Sequence, residues 1–241
     1  MRTIVIDRRF NGPKGSGNGG YVAGILAGHI DPEGVVEVTL RAPVPLDTPM
    51  DLSPAGDGYR LTAGGRLICE ARRAALTLDA PGAGDWAEME RLAEGGGSAA
   101  GTDFHDCLVC GRGRAPGDGL RVWGDRAAGG GRSLSRYLPH PVHAGDDGRI
   151  RPEFVWGALD CPGAWAAQDA DDRRPALTGR MTARIFDRPR PGLRCMVVGW
   201  KAGGAGRKLI SGTALYGEDG TLYAQGECVW IVLKSGCTSG G

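Results

Sequence analysis

Two stretches of the chain carry helix-like spacing and are apolar nearly all round. The first covers residues 20–29 and follows a loop, residues 10–18, dense in glycine, proline and asparagine. The second covers residues 153–161. A helix without a polar face is predicted to be buried. Strand-like segments separated by glycine and proline follow each of them. After the first helix they are residues 35–42, 50–52 continuing toward 59–62, and 66–78. After the second they are residues 177–186, 193–200, 209–216 and 222–233. The last of these ends in an uninterrupted apolar run, which predicts a strand covered on both faces near its end.

The same order of elements thus occurs twice, and residues recur with it. Val22, Gly24 and Leu26 return 133 positions later as Val155, Gly157 and Leu159. Thr39 and Arg41 return after 143 as Thr182 and Arg184, and Gly65, Leu67 and Leu78 after 155 as Gly220, Leu222 and Leu233. Offsets that rise in order point to an internal duplication whose second copy has longer strands or loops. The segment Glu94-Gly-Gly-Gly-Ser-Ala-Ala-Gly-Thr102 reads as a linker between the copies. The division expected is residues 1–93, a linker at 94–102, and residues 103–241. The glycine-rich residues 111–131 read as loop with one short strand at 120–123. One helix and then an antiparallel set of strands, twice over, is an α+β pattern with the helix laid on a sheet.

Composition narrows the function. The 241 residues are 41% hydrophobic and 24% charged, so the chain is expected to fold and bury a core. Twenty-nine basic against 28 acidic residues leave a net charge of +1, without the basic excess of a dedicated nucleic-acid binder. No apolar run approaches the roughly 18 residues of a membrane helix, and the first residues lack a signal-peptide layout. Seven cysteines, mostly within apolar segments, suit a reducing compartment better than a disulfide framework. A cytoplasmic protein is expected.

Several residues carry the candidate chemistry. Asn18-Gly19-Gly20 opens the first helix, and Asp160 stands in the second among Phe154, Trp156, Leu159 and Cys161. A helix start offers unpaired N–H donors and partial positive charge, and glycine lets the backbone approach closely. Asp160 reads either as a functional acid whose pKa is raised by apolar surroundings or as a helix-end cap for the segment that follows. Together with the late turn Asp219-Gly220-Thr-Leu222-Tyr-Ala224, these features resemble the hotdog fold, here two hotdog halves in one chain. The family implied is the acyl-CoA thioesterases and related thioester-processing proteins.

That resemblance implies that the thioester carbonyl is held at the helix start by backbone N–H groups beside Gly19 and Gly20, with Asn18 adding its amide. It implies an Asp or Glu further along the other helix as base or nucleophile. Aligning Asn18-Gly19-Gly20 with Arg151-Pro152-Glu153 puts Ala27 at the acid position of the first copy and Asp160 at that of the second, where Pro152 lacks an N–H. The two copies are then expected to complement each other in one shared site. Tyr21 and Trp156 are expected to line the substrate. Arg184, near Arg188, Arg190 and Arg194, reads as a phosphate-facing entrance residue or a solvated turn. Where relatives carry a Ser or Thr after the acid this chain has Ala167, with Gln168 next, and where double-hotdog relatives carry a Gln it has Cys228.

The function expected is acyl-thioester hydrolysis, on acyl-CoA or an acyl-carrier protein, without a cofactor. The alternative is a non-catalytic hotdog protein that binds acyl or polyketide ligands. A hotdog dehydratase would pair a histidine with the acid, and His29 is the only histidine in either helix-like stretch. Cys107-Leu-Val-Cys110 reads either as half a metal site, with His105, His140 and His143 as further ligands, or as a reduced pair at a turn; no metal is expected. Residues 11–20 lack the order of a phosphate-binding loop. The chain is expected to be a pseudo-dimeric monomer or to assemble further.

Overall fold

The computed structural model describes residues 2–95, 104–169, 172 and 174–234. Among the described residues, eleven strands form one antiparallel sheet: β1 (Arg2–Ile4), β2 (Val36–Leu40), β3 (Met50–Ala55), β4 (Gly58–Ala63), β5 (Arg66–Arg73), β6 (Trp123–Arg126), β7 (Arg132–Tyr137), β8 (Ala176–Ile185), β9 (Cys195–Ala205), β10 (Lys208–Gly217) and β11 (Leu222–Val232). The helices are α1 (Gly19–Ile30), α2 (Trp86–Glu94), α3 (Pro152–Ala158) and α4 (Asp160–Ala167). Among the described residues no helix is long and apolar enough to cross a membrane.

The strand order is β1-β3-β4-β5-β2-β8-β11-β10-β9-β7-β6. Its centre is the β2–β8 seam, where Val36 pairs with Ala183 and Val38 with Met181. Outward from the seam the order β2-β5-β4-β3-β1 is repeated as β8-β11-β10-β9-β7, which is the duplication read from the sequence. The 133-residue offset places β1 on the last three residues of β7. Gly65 and Gly220 both take positive φ, 81° and 84°, in the turns that open β5 and β11. α1 and α3 lie side by side on one face of the sheet, and both are buried with it in a single apolar core.

The structure departs from the sequence reading in four places. The second helix is not continuous through residue 161. It breaks at Leu159, because Pro162 has no N–H and its ring conflicts with the carbonyl four residues back. Asp160 therefore begins α4 rather than ending α3. The one short strand expected within the glycine-rich region at residues 120–123 lies instead at Trp123–Arg126, as β6, and hairpins through Gly129–Gly131 to β7 at the sheet edge. α2 was not expected. Its start is capped by Asp85, whose carboxylate accepts the Glu88 N–H at 3.0 Å. Beyond Gly95 the linker expected at residues 94–102 lies outside the described residues. The strand expected over residues 66–78 ends at Arg73.

Residues after β5 cross to the far face of the second half of the sheet. Glu227 accepts the Leu78 N–H at 2.6 Å and the Thr77 hydroxyl at 2.9 Å, and Gln225 donates to the Leu78 carbonyl. α2 then lays Met89, fully buried, over Leu134, Met196, Val198, Ala214 and Tyr216. This half of the sheet is thus covered on both faces, which is why its strands read as apolar runs instead of alternating.

Candidate active site

The loop before α1 is held by backbone hydrogen bonds from Asn18 N–H to the Phe10 carbonyl and from Gly17 N–H to the Val44 carbonyl, both 2.9 Å. This fixes Asn18 as the N-cap of α1. Its side-chain oxygen accepts the Tyr21 N–H at 2.9 Å, an ordinary cap that leaves the amide nitrogen free to donate elsewhere. That nitrogen donates to Asp160 Oδ2 at 3.0 Å, and the Gly20 N–H donates to the same oxygen at 3.2 Å. On the other side of the carboxylate the Thr178 hydroxyl donates to Oδ1 at 2.7 Å. Three donors from α1 and β8 therefore converge on one carboxylate at the start of α4.

Two local features make the convergence possible. α1 and α3 approach so closely that a Cβ on Gly20 would lie 2.8 Å from both the Trp156 carbonyl oxygen and Asp160 Cβ. In β8, Arg180 pairs with Val229 but Thr178 pairs with Trp230, so Gly179 is an extra residue opposite the β11 ladder. This bulge reverses the alternation. Without it Thr178 would share the outward face of Arg180; with it the hydroxyl turns toward Asp160.

Asn18 and Asp160 are 2% and 3% exposed, so the cluster is almost dry. Burial raises the Asp160 pKa to about 6, against the lowering effect of the Thr178, Gly20 and Asn18 hydrogen bonds. A carboxyl group poised there accepts or gives a proton near neutrality. The N-termini of α1 and α4 add partial positive charge beside it.

The structure thus brings together Asp160, Asn18, Gly19 and Gly20, as the sequence led one to expect, but with a different use of the donors. Asn18 and Gly20 bond the carboxylate itself. Tyr21 is buried against Phe10, with ring centroids 4.4 Å apart, and burial pushes its hydroxyl pKa up. Trp156 is buried and lies against Gly24 of α1. Arg184 is not brought to this cluster. It pairs with Gln225 and shares its face, opposite to α1 and α4, with its guanidinium 5.1 Å from the Phe186 ring. Cys228 is buried, and burial together with the Asp160 charge pushes its thiol pKa well up.

Thr178 escaped the sequence reading. Its one signal was a glycine inside a strand pattern, which often marks a bulge. In the sequence Cys161 stands out only as a neighbour of Asp160. The structure places its sulfur 4.0 Å from Cys107, and Cys107 lies 3.9 Å from the Asn18 amide nitrogen. None of His105, His140 and His143 joins this group. His105 contacts Asp106, and His143 packs on Phe154 at 4.3 Å.

Compared by sequence, the chain matches no family model and no curated protein. Compared by structure, it is similar along nearly its whole length to known hotdog proteins. A TesB protein from Mycobacterium avium subspecies paratuberculosis aligns over 96% of this chain and 92% of its own, with a TM-score of 0.62 at 12% identity. A hotdog-fold protein of unknown function from Alicyclobacillus acidocaldarius aligns over the same shares, with a TM-score of 0.61 at 12% identity. A thioesterase-like protein from Novosphingobium aromaticivorans covers 96% and 95%, with a TM-score of 0.58 at 14% identity. The chain has the double hotdog fold.

Proposed function

We propose that this chain hydrolyses acyl thioesters at the cluster built around Asp160. The observation that carries the reading is the buried carboxylate of one half meeting the amide and N–H donors at the helix start of the other half. Asp160, with a pKa near neutrality, takes a proton from a water molecule. The Thr178 hydroxyl and the Asn18 amide orient that water and the carboxylate. The water oxygen attacks the thioester carbonyl carbon. Negative charge that develops on the carbonyl oxygen is met by the Gly19 and Gly20 N–H groups and the positive end of α1. Collapse breaks the C–S bond, and the proton held by Asp160 leaves with the thiolate, giving a carboxylic acid and a free thiol. The carbonyl oxygen thereby takes over the Gly20 donor once Asp160 has been protonated and no longer needs it.

The test is a panel of acyl-CoA and acyl-carrier-protein thioesters with released thiol as readout. Asp160→Asn is expected to lower turnover by roughly 10²–10⁴-fold, the usual worth of a positioned acid or base, with the melting curve retained. Turnover unchanged by that substitution would remove Asp160 from the mechanism. A second reading is favoured by one observation, that the donors are already satisfied by the carboxylate. On that reading the protein binds thioesters or acyl groups without cleaving them. Measurable acyl-CoA binding with no thiol release from any member of the panel would establish it.

A further inference from the structure

We propose that Cys107, Cys110 and Cys161 form a binding site for one thiophilic divalent metal ion, with zinc the ion that best suits the donor set. The three sulfur atoms lie within 4.8 Å of one another, although Cys161 is supplied by α4 and the other two by a separate loop. Around a tetrahedral zinc with Zn–S bonds of about 2.3 Å, sulfurs stand roughly 3.8 Å apart. The Cys107–Cys161 separation is 4.0 Å, so closure on an ion needs movements of only tenths of an ångström at that edge.

A tight turn brings Cys107 and Cys110 together. In Cys107-Leu-Val-Cys110-Gly111 the Gly111 N–H donates to the Cys107 carbonyl at 2.9 Å, which folds the turn back on itself. A Cβ on Gly111 would lie 2.4 Å from that carbonyl oxygen, so the turn closes only with glycine at its end. Cys107 and Cys110 are 1% and 3% exposed, and Cys161 is the least buried of the three. Thiols clustered largely out of water are costly to ionise alone, and a cation removes that cost.

Binding forms three metal–sulfur bonds and releases to solvent the proton of each thiol that still carries one. Three protein ligands leave one tetrahedral position for water or another small donor. The metal ligands are the three thiols and not Asp160, although the Asn18 amide nitrogen that donates to Asp160 also lies 3.9 Å from Cys107 Sγ; metal binding does not depend on thioester hydrolysis.

Cobalt(II) titrated into the reduced, metal-free full-length protein tests the proposal. The expected result is a thiolate-to-cobalt charge-transfer band that saturates at one ion per chain, visible bands of tetrahedral cobalt, and loss of both on adding zinc. Cys107→Ser, Cys110→Ser and Cys161→Ser each weaken binding by more than the roughly 10–100-fold that loss of an outer partner costs. Cys195→Ser, a buried thiol outside the group, leaves the titration unchanged. Alkylation of the wild-type protein, read by mass spectrometry, covers the case in which a serine variant fails to fold: zinc is expected to protect these three thiols selectively. No charge-transfer band in the reduced wild type overturns the proposal. So does a band that survives in all three serine variants, or alkylation that zinc leaves unchanged.

Discussion

Replacing Gly24 by alanine tests the packing on which the whole site rests. Gly24 lies in the middle of α1, where it faces α3. A Cβ there would stand 2.6 Å from Glu153 Cα and 2.8 Å from Trp156 Cβ. Carbon atoms in contact settle at about 3.5–4.0 Å, so the helices must part by roughly 1 Å. The obstruction is backbone and Cβ, which no rotamer change relieves. Overpacking of this kind costs about 1–3 kcal/mol, partly offset by the gain of up to ~1 kcal/mol when alanine replaces glycine in a helix. Gly28 supplies the control, since it belongs to the same helix, is exposed, and has nothing within 4 Å of a built Cβ. Gly28→Ala keeps the propensity gain without the clash. For a chain of this size 1 kcal/mol moves Tm by about 2–4 °C. Thermal melts are therefore expected to show Gly28→Ala above wild type by roughly 2 °C or more and Gly24→Ala below it by several degrees. Gly20 stands one turn before Gly24, so separating the helices also draws its N–H away from Asp160 and lowers any turnover. A Gly24→Ala protein as stable as Gly28→Ala would refute the close approach of α1 and α3.

Other outcomes follow from single residues. Thr178→Val removes the hydroxyl from Asp160 Oδ1 and is expected to cost about 1–3 kcal/mol in urea unfolding, with a loss of kcat rather than a rise in KM. Thr178→Ser restores both, and a Val variant indistinguishable from wild type would show that the hydroxyl has no part. His143 is buried against Phe154, and burial lowers its pKa from 6.5 to about 4. The unfolded chain therefore takes up this proton first, and stability present above pH 6.5 declines as pH falls toward 4, by at most about 3 kcal/mol. His143→Phe is expected to flatten that part of the urea-midpoint profile; an unchanged slope would assign it to other groups. Met89→Ala empties the contact beneath α2 and is expected to cost about 2–5 kcal/mol, with amide exchange rising first in α2 and β7; uniform exchange would mean that α2 does not dock as a separate unit.

The residues visible in the sequence were those whose chemistry is local. An Asn-Gly-Gly start and an acid in an apolar helix announce themselves without reference to the rest of the chain. Asp160 also depended on the duplication, because only the second copy carries the acid and only the first carries the glycines. Thr178 was hidden by parity, since one extra residue at Gly179 turns a residue that seemed to face solvent toward the core. Cys161 was hidden by distance, with 50 intervening positions separating it from Cys110. α2 was concealed by the linker that follows it, although Trp86, Met89 and Ala93 mark an apolar stripe and Asp85 caps it. Strand alternation places exposed Arg184 on the face away from the Asp160 cluster, opposite its partner Gln225.

The β2–β8 seam joins two copies that share a single covalent backbone. Dilution cannot take such a pair apart, because each half meets the other at a fixed effective concentration. Nor does a substitution in one half appear in its twin, as it would where identical subunits assemble. Each copy can therefore carry its own residues, Asp160 in the carboxy-terminal one and Asn18-Gly19-Gly20 in the amino-terminal one, with no requirement that its twin match.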